Sequence, residues 1–224
     1  MSSIYENLRC IEDRIDKAAA KSGRGRQDIT LVTVTKTRSV EQIAEAIACG
    51  ATDIGENYVQ EAQEKYSEIG DSVRWHMIGH LQKNKARHAV EFFSLIQSVD
   101  SIELAEQIGR RALAVGRHID VLLEVKISSE ATKYGVDPDR SLELASKIAQ
   151  VSGLKLCGLM GMAPFEQDPQ DTRPFFRDLK TLWDKLPDEQ RIYLSMGMTS
   201  DFEVAIEEGS NMVRIGTAIF GPRG

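Results

Sequence analysis

A lysine follows the first apolar run of the chain, in "DITLVTVTK", residues 28–36. The β-branched residues before Lys36 have the length and composition of a β-strand. By strand alternation, Val32, Val34 and Lys36 share one face, so the amine points to the side that the strand buries. In a largely desolvated site a lysine is disfavoured as a cation, and the neutral amine is a nucleophile that condenses with a carbonyl. Lys36 therefore predicts either carbonyl chemistry or an ordinary charge at a strand end.

Two later segments, "LSMGMTSD" and "VRIGTAIFG", contain the residue types that hold a phosphate group. Glycine lets backbone N–H groups approach an anion, hydroxyls add donors, and a helix predicted to start near Thr199 would point its positive end at the same place. The residues concerned are Ser195, Gly197, Thr199, Ser200, Gly216 and Thr217. Each segment alone is more typical of a helix cap or a tight strand end, whereas the pair favours a small phosphorylated ligand. A phosphate together with a carbonyl for Lys36 indicates pyridoxal 5'-phosphate (PLP).

Two other lysines are candidates for the same chemistry. Lys126, in "LLEVKIS", could hold Glu124 or a cofactor group from the neighbouring strand. Lys133, in "EATKYGV", is predicted to lie in a loop and is more typical of a lid or surface cation. Lys36 is the preferred candidate because strand alternation puts it on the inner face of the first strand, at the same mouth as the predicted phosphate-binding residues.

Metal and hydrolase chemistry receive little support from the sequence. His76 and His80 would share one face of a strand but lie about 13 Å apart, too far to bind one metal ion. Packing beside a ligand ring for His76 and capping of the next helix by His80 are the alternatives. The cysteines, odd in number and far apart, are Cys10, Cys49 and Cys157, and they predict neither disulfides nor a zinc site. "LSMGM" is not the G-x-S-x-G elbow of a serine hydrolase.

Short apolar runs alternate with amphipathic helical patterns along the chain. The predicted helices cover residues 3–22, 39–49, 57–69, 81–91, 101–115, 138–151, 170–186 and 200–208. The predicted strands lie in "TLVTVTK", "TDIGEN", "VRWHMIG", "FSLIQSVD", "IDVLLEVKI", "LKLCGLMGM", "IYLSMGM" and "NMVRIGTAIFG". Strands separated by helices pair in parallel, and eight of them favour a closed (β/α)8 TIM barrel, with one helix at the front of the chain closing the outer ring. An open doubly wound sheet is the alternative, but the first strand lacks the G-x-G-x-x-G turn of a dinucleotide fold.

A barrel predicts that functional groups cluster at the C-terminal ends of its strands, because those ends and the loops after them line one mouth. Unusual residues do follow the predicted strands: Lys36, Glu56, Asn57, Gly79, His80, Asp100, Met160, Met162, and the segments 195–199 and 214–217. One lysine at a strand end can be incidental. Seven such ends that converge on one mouth indicate a site.

The composition sets limits on partners and location. The 224 residues contain no linker or low-complexity tract, so we predict one domain over residues 1–224. A net charge of −6 disfavours nucleic acid as a partner, and the basic cluster in "LQKNKARH" is more typical of a solvated helix face than of an anion site. With neither a signal peptide pattern nor a run of about 20 apolar residues, we expect a cytoplasmic protein without membrane contact.

The segments "VTKT", "IGENYVQE", "WHMIGHLQKNK", "GLMGM" and "LSMGMTSDFEVAIEEGSNMVRIGTAIFG" follow one another from the first strand to the end of the chain. In this order they resemble the motifs of the YggS/PROSC family of pyridoxal phosphate homeostasis proteins. The resemblance covers essentially the whole chain and implies a barrel of the alanine racemase N-terminal type. It also implies PLP held as a Schiff base on Lys36, in a protein without established turnover that acts in vitamin B6 and amino-acid balance.

Position by position, the resemblance implies a set of cofactor-binding residues. The set is Lys36, Asn57, His76, Met160, Ser195, Met196, Gly197, Arg214, Gly216 and Thr217. The PLP ring is expected near Asn57 and His76. The phosphate is expected on Ser195, Gly216 and Thr217.

The resemblance also implies that Arg214 faces the pyridine nitrogen of the cofactor. An arginine cannot accept a proton from the ring, so the electron sink is weaker than with a carboxylate and transamination is not expected. Two positions depart from the family pattern. Ile54 stands where members often have an aromatic residue, and Lys126 stands where many have asparagine.

The main alternative function is that of a PLP-dependent amino-acid racemase, since alanine racemases build the same barrel. They use a second base from a separate C-terminal β-domain of the partner subunit, and this sequence ends at "FGPRG". We therefore expect a PLP carrier or regulator and not an enzyme, with apo-PLP enzymes as candidate recipients. Because the dimerising β-domain is missing, we expect a monomer.

Overall fold

A closed barrel of parallel strands forms the centre of the computed structural model, which describes residues 3–128 and 134–222. Within these residues there are eight strands, each paired with its neighbours in sequence order, and the last pairs with the first. The strands are β1 Thr30–Val34, β2 Asp53–Glu56, β3 Arg74–Met77, β4 Leu95–Val99, β5 Ile119–Val125, β6 Leu154–Gly161, β7 Tyr193–Ser195 and β8 Met212–Ile215. The predicted (β/α)8 barrel is confirmed.

Helices surround the barrel. They are α1 Ile4–Lys21, α2 Val40–Ala48, α3 Val59–Ile69, α4 Ala86–Phe92, α5 Ile102–Ala114, α6 Pro138–Ile148, α7 Arg173–Trp183, α8 Phe202–Glu207 and α9 Thr217–Phe220. The helix predicted over 81–91 begins as a 3-10 turn at Lys83–Lys85 and becomes α-helical only at Ala86. The eight predicted helices do not include α9, which follows the last strand; its single turn is too short to show a helical period in the sequence. None of the described helices has the length and apolar character that a bilayer crossing requires.

Helix α1 closes the outer ring from the front of the chain, as predicted. It begins with a capping box, in which the Ser3 hydroxyl accepts from the Glu6 N–H and the Glu6 carboxylate accepts from the Ser3 N–H. Its apolar stripe, Ile4, Leu8, Ile11 and Ile15, is buried. The stripe packs in one cluster with residues of α8, β8 and α9, so the first helix covers the last strands of the barrel.

Side chains alternate between the interior of the barrel and the layer under the helices. The interior contains one apolar cluster, made of Val32, Leu95, Leu122, Cys157, Met160 and Met212. Burial raises the pKa of the Cys157 thiol to about 12, so Cys157 acts as a small apolar residue at neutral pH. The outward-facing side chains form the larger core against the helices, in which Trp75 and Phe176 are almost completely buried.

Candidate functional site

A cavity of about 410 Å³ lies at the C-terminal ends of β8, β1 and β2. Its wall includes five residues of the predicted set: Lys36, Asn57, Arg214, Gly216 and Thr217. The wall is completed by Val34, Arg38, Ile78, Met162, Phe165, Met198, Thr199 and Ser200. Such a volume lies in the range of about 300–1,000 Å³ that small-molecule sites occupy.

Lys36 reaches the cavity from a β-turn that follows β1 directly. The strand ends at Val34, and the turn Thr35–Arg38 is closed by a hydrogen bond of 3.0 Å from the Arg38 N–H to the Thr35 carbonyl. Alternation places Val34 and Lys36 on the same side, and both line the cavity. The third residue of the turn, Thr37, has φ +63°, and it is the one non-glycine residue with positive φ in the described part of the chain.

Glu56 and two residues of α3 form an ionic cluster behind this turn, here called the triad: Glu56, Lys65 and Glu61, of which Glu56 and Lys65 are buried and Glu61 is partly exposed. The Lys65 ammonium lies 2.7 Å from one carboxylate oxygen of Glu56 and 2.7 Å from one of Glu61. The sequence predicts that Glu56 faces the mouth with the other strand-end residues, and this prediction is wrong. Strand alternation in β2 puts Gly55 and Asn57 on the inner side of the barrel and Ile54 and Glu56 on the outer side. Glu56 therefore faces α3, where it contacts Lys65.

Arg214 enters the cavity wall from β8 and is held by two hydrogen bonds. One terminal nitrogen donates to the Ser195 hydroxyl at 2.6 Å, and the other donates to the Gly161 carbonyl at 3.1 Å. Burial lowers the pKa of Arg214 to about 10, although the nearby Asp201 and Glu124 act to raise it. Arg214 therefore remains a cation at neutral pH, although only 4% of it is exposed.

From Arg214 a line of hydrogen bonds crosses the barrel, here called the interior chain: Arg214, Ser195, Gln97, His76 and Asp53. The Ser195 hydroxyl lies 2.6 Å from the Gln97 amide oxygen, the Gln97 amide nitrogen 3.0 Å from His76 Nδ1, and His76 Nε2 2.9 Å from an Asp53 carboxylate oxygen. An arginine can only donate, so each following group receives one bond and donates the next. This order makes His76 Nδ1 an acceptor and puts the imidazole proton on Nε2, facing Asp53.

His76 is neutral at neutral pH because the barrel interior buries it. It is completely buried, and burial lowers its pKa below the ordinary value, although Asp53 acts to raise it. The two ends of the interior chain thus carry the formal charges, Arg214 and Asp53, while the three middle groups are neutral. Arg74 lies 3.5 Å from the Asp53 carboxylate at the far end.

Five predicted site residues do not line the cavity. His76 and Ser195 are completely buried members of the interior chain, and Met160 belongs to the apolar cluster inside the barrel. Met196 faces outward into the main core. Gly197 has φ +95°, and a Cβ on it would lie 2.6 Å from the Ala205 Cβ, so this glycine permits close packing of α8.

The loop after β7 brings hydroxyl groups to the cavity in a different way from that predicted. Helix α8 starts at Phe202, three residues later than the predicted start near Thr199. The Asp201 carboxylate accepts from the Met198 N–H at 2.6 Å and so closes a tight turn. Thr199 and Ser200 then join Thr217 and Gly216 on the cavity wall.

A second cavity of about 650 Å³ adjoins the first and shares Asn57, Ile78 and Met162 with it. Glu124 lines this second cavity and is buried; burial raises its pKa to about 7, with a further rise from Asp100 and an opposing effect of Arg214. His80 also lines it, where its ring stacks on Tyr134 at a centroid distance of 3.7 Å. The predicted capping role of His80 is wrong, because α4 begins at Ala86 with Lys85 as its N-cap.

The rival lysines are placed elsewhere or lie outside the described residues. Lys126 lies 3.4 Å from Asp137 and is not on the wall of either cavity. Lys133 lies outside the described residues. Within residues 3–128 and 134–222, no group of three or more histidine, cysteine or carboxylate side chains could hold a metal ion.

Two functional residues were missed by reasoning from the sequence. Arg38, two residues after Lys36, also lines the cavity, with its guanidinium donating to the Gly221 carbonyl at 2.6 Å; strand alternation does not extend through the turn, so no pattern in the sequence indicated it. Gln97 connects Ser195 to His76, but in the sequence it is one polar residue in a buried strand, and only the closed barrel shows its partners.

Sequence comparisons show similarity to known proteins over nearly the whole chain. The family model for the alanine racemase N-terminal domain matches residues 6–224. A pyridoxal phosphate homeostasis protein of Aquifex aeolicus is 42% identical over 222 residues, which cover 97% of this chain and 97% of that protein. One from Escherichia coli K12 is 38% identical over 234 residues, covering 100% of this chain and 98% of that protein. These names describe a homeostatic role and no reaction.

Solved structures show the same similarity. PipY of Synechococcus elongatus, solved with PLP bound, is 34% identical with a TM-score of 0.84, and the match covers 98% of this chain and 100% of that one. An alanine racemase of Clostridium difficile is 19% identical with a TM-score of 0.75, over 97% of this chain and 60% of that one. The second similarity concerns the fold alone.

Proposed function

This chain belongs to the family of pyridoxal phosphate homeostasis proteins and contains an alanine racemase N-terminal domain, and from that premise we propose that it binds PLP in the cavity at Lys36. The observation that carries the proposal is the presence of Lys36, Arg214 and three hydroxyl side chains on the wall of one cavity of about 410 Å³. The proposed role is intracellular vitamin B6 and amino-acid balance without turnover.

The residues on the wall fit the chemistry of PLP. When bound, PLP supplies an aldehyde, the electrophile with which a lysine amine forms a Schiff base. Lys36 is the residue that would hold the cofactor in this way, because its turn brings the side chain to the cavity wall. Asn57, on the wall of both cavities, would contact the cofactor ring.

For the phosphate we propose Thr199, Ser200, Gly216 and Thr217. Their hydroxyl and backbone N–H groups are the donors that an anion needs, and Arg38 adds a positive charge to the same wall. The Ser195 side chain is committed to Arg214 and Gln97, so its proposed part is to orient Arg214 and not to contact the phosphate directly. Met160, Met196 and Gly197 would support the wall from behind.

Arg214 would face the pyridine nitrogen. It is held by Ser195 and Gly161, remains charged at neutral pH and cannot take a proton from the ring. Such a partner does not favour the protonated ring on which transamination depends, and the proposed role is storage, delivery or sensing of the cofactor. Apo-PLP enzymes are the candidate recipients, and we propose a cytoplasmic monomer that contacts neither nucleic acid nor membranes.

The visible absorption spectrum of the purified protein tests the proposal, followed by borohydride reduction and peptide mass mapping. We expect an absorption band of a PLP Schiff base and the added mass on Lys36. Lys36→Ala should abolish the band and the adduct, while the matched variant Lys126→Ala should keep both. An adduct at another lysine, or no band after PLP is added, would contradict the proposal.

The racemase alternative has a separate test. Incubation of the PLP-loaded protein with L-alanine in deuterated water reports α-proton exchange directly. We expect no exchange over hours, whereas rapid exchange would favour a racemase.

A further inference from the structure

The turn that presents Lys36 is strained. Thr37 has φ +63°, a region in which β-branched residues are genuine outliers because Cβ and its branches crowd the backbone. Such a conformation persists only where the surrounding structure enforces it. We therefore expect contacts that hold the backbone of the turn before and after Lys36.

The triad makes these contacts. The Lys65 ammonium donates to the Thr35 carbonyl at 2.7 Å, and the Thr35 hydroxyl lies 2.5 Å from a Glu56 carboxylate oxygen. On the other side of Lys36, the Thr37 N–H donates to a Glu61 carboxylate oxygen. The backbone is therefore held immediately before and immediately after Lys36 by residues from outside the turn.

Lys65 connects the two sides. Its ammonium makes three hydrogen bonds, to the Thr35 carbonyl, to Glu56 and to Glu61, so all three of its donors are used. The Lys65 side chain is 7% exposed and that of Glu56 is 0% exposed. Charge-assisted bonds of this kind in a dry setting are the strong class of hydrogen bond, and they fix position as well as adding stability.

We propose that the triad is a positioning device, which holds the strained Thr35–Arg38 turn so that the Lys36 amine is presented to the cavity. The proposal rests on the proposed function, since covalent capture of PLP is the step that the position of the amine would serve. Glu56, Lys65 and Glu61 act through Lys36 and lie outside the cavity wall. Their contribution is therefore to the formation of the covalent bond and not to the affinity for the rest of the cofactor.

Glu61 is the residue to change, because its side chain is 26% exposed and the fold does not depend on its burial. Glu61→Ala removes the acceptor for the Thr37 N–H, whereas Glu61→Gln keeps an acceptor oxygen without the charge. Glu64→Ala makes the same truncation at an exposed position of α3 and serves as the matched control. Borohydride-trapped adduct on Lys36 is measured against PLP concentration for all four proteins.

We expect Glu61→Ala to need about 10- to 150-fold more PLP for half-maximal adduct, which is the range that corresponds to one lost hydrogen bond to a charged group. Glu61→Gln should recover most of the difference, and Glu64→Ala should match the wild type. Pyridoxine 5'-phosphate, which lacks the aldehyde, should bind the wild type and Glu61→Ala equally, because only the covalent step is affected. Amide hydrogen exchange at Thr37 should accelerate in Glu61→Ala alone.

The outcomes separate this inference from the proposed function. No adduct on Lys36 in the wild type would overturn the proposed function. A wild-type adduct that forms equally well in Glu61→Ala would overturn the positioning role, as would an equal loss in Glu64→Ala. A parallel loss of pyridoxine 5'-phosphate binding would also overturn it, because it would mean that the whole cavity is disturbed.

Discussion

Two polar networks lie beside the same cavity, and they are built differently. The interior chain carries its formal charges at its two ends, with three neutral groups between them that need only a hydrogen-bond partner. The triad brings three charges together at one ammonium. Loss of a neutral link leaves unsatisfied dipoles, whereas loss of the ammonium leaves the buried Glu56 carboxylate without its counter-ion and beside the partly exposed carboxylate of Glu61. The triad should therefore be the more fragile network and the more sensitive to pH.

The sharpest test of this difference is Lys65→Met, which keeps the length of the side chain and removes its charge. We expect a loss of about 3–5 kcal/mol in the free energy of unfolding at pH 8, the range for a buried pair that loses one partner. Burial already raises the pKa of Glu56, and without Lys65 it should rise further. A carboxyl whose folded pKa is raised stabilises the fold at low pH and less so as pH rises, so the loss should be smaller at pH 5.

Urea unfolding at pH 5 and pH 8 measures both parts of this prediction. The double variant Lys65→Met/Glu56→Gln should recover part of the stability at pH 8, because it removes the buried charge. A loss below about 1 kcal/mol at pH 8 would show that the triad is not the fragile network.

Glu124 provides a reference for the two networks, because it is a buried carboxyl that belongs to neither of them. Its pKa rises from 4.5 to about 7, which corresponds to at most about 3 kcal/mol. The protonated form is favoured in the folded state, so this group's contribution should be retained below pH 4.5 and lost as pH rises through about 7. In Glu124→Gln the free energy of unfolding should fall less between pH 5 and pH 8 than in the wild type. Identical slopes would mean that Glu124 titrates normally.

Gln97→Leu breaks the interior chain at its centre. It leaves the Ser195 hydroxyl without an acceptor and His76 Nδ1 without a donor, which should reduce the free energy of unfolding by about 2 kcal/mol. No charge is removed, so we expect the same loss at pH 6 and pH 8, in contrast to Lys65→Met. Calorimetric unfolding at the two pH values measures this. A loss that changes steeply with pH would mean that His76 carries a charge in the intact chain.

The sequence supplied the fold and the position of Lys36 because both depend on local periodicity. Eight apolar runs separated by helices admit few architectures, and the alternation of β1 carries Lys36 to the inner side. The same reasoning failed for Glu56, because four residues of β2, all buried, do not show which face is inward. It failed for Ser195 because the partner that occupies its hydroxyl, Gln97, lies 98 residues away in the chain.

Thr37→Gly should give the smallest effect, and it tests whether the triad works against strain. Glycine adopts positive φ without steric cost, so the change releases strain of about 1–3 kcal/mol while the unfolded chain gains about 0.5–1 kcal/mol of conformational freedom. We expect a net stabilisation of about 1 kcal/mol in urea unfolding. In a Glu61→Ala background, where the Thr37 N–H has lost its acceptor, the gain should be smaller, because the turn can then relax and less strain is left for glycine to release. Equal gains in both backgrounds would show that Glu61 does not hold the turn, and destabilisation by Thr37→Gly would show that the threonine side chain contributes more than its backbone conformation costs.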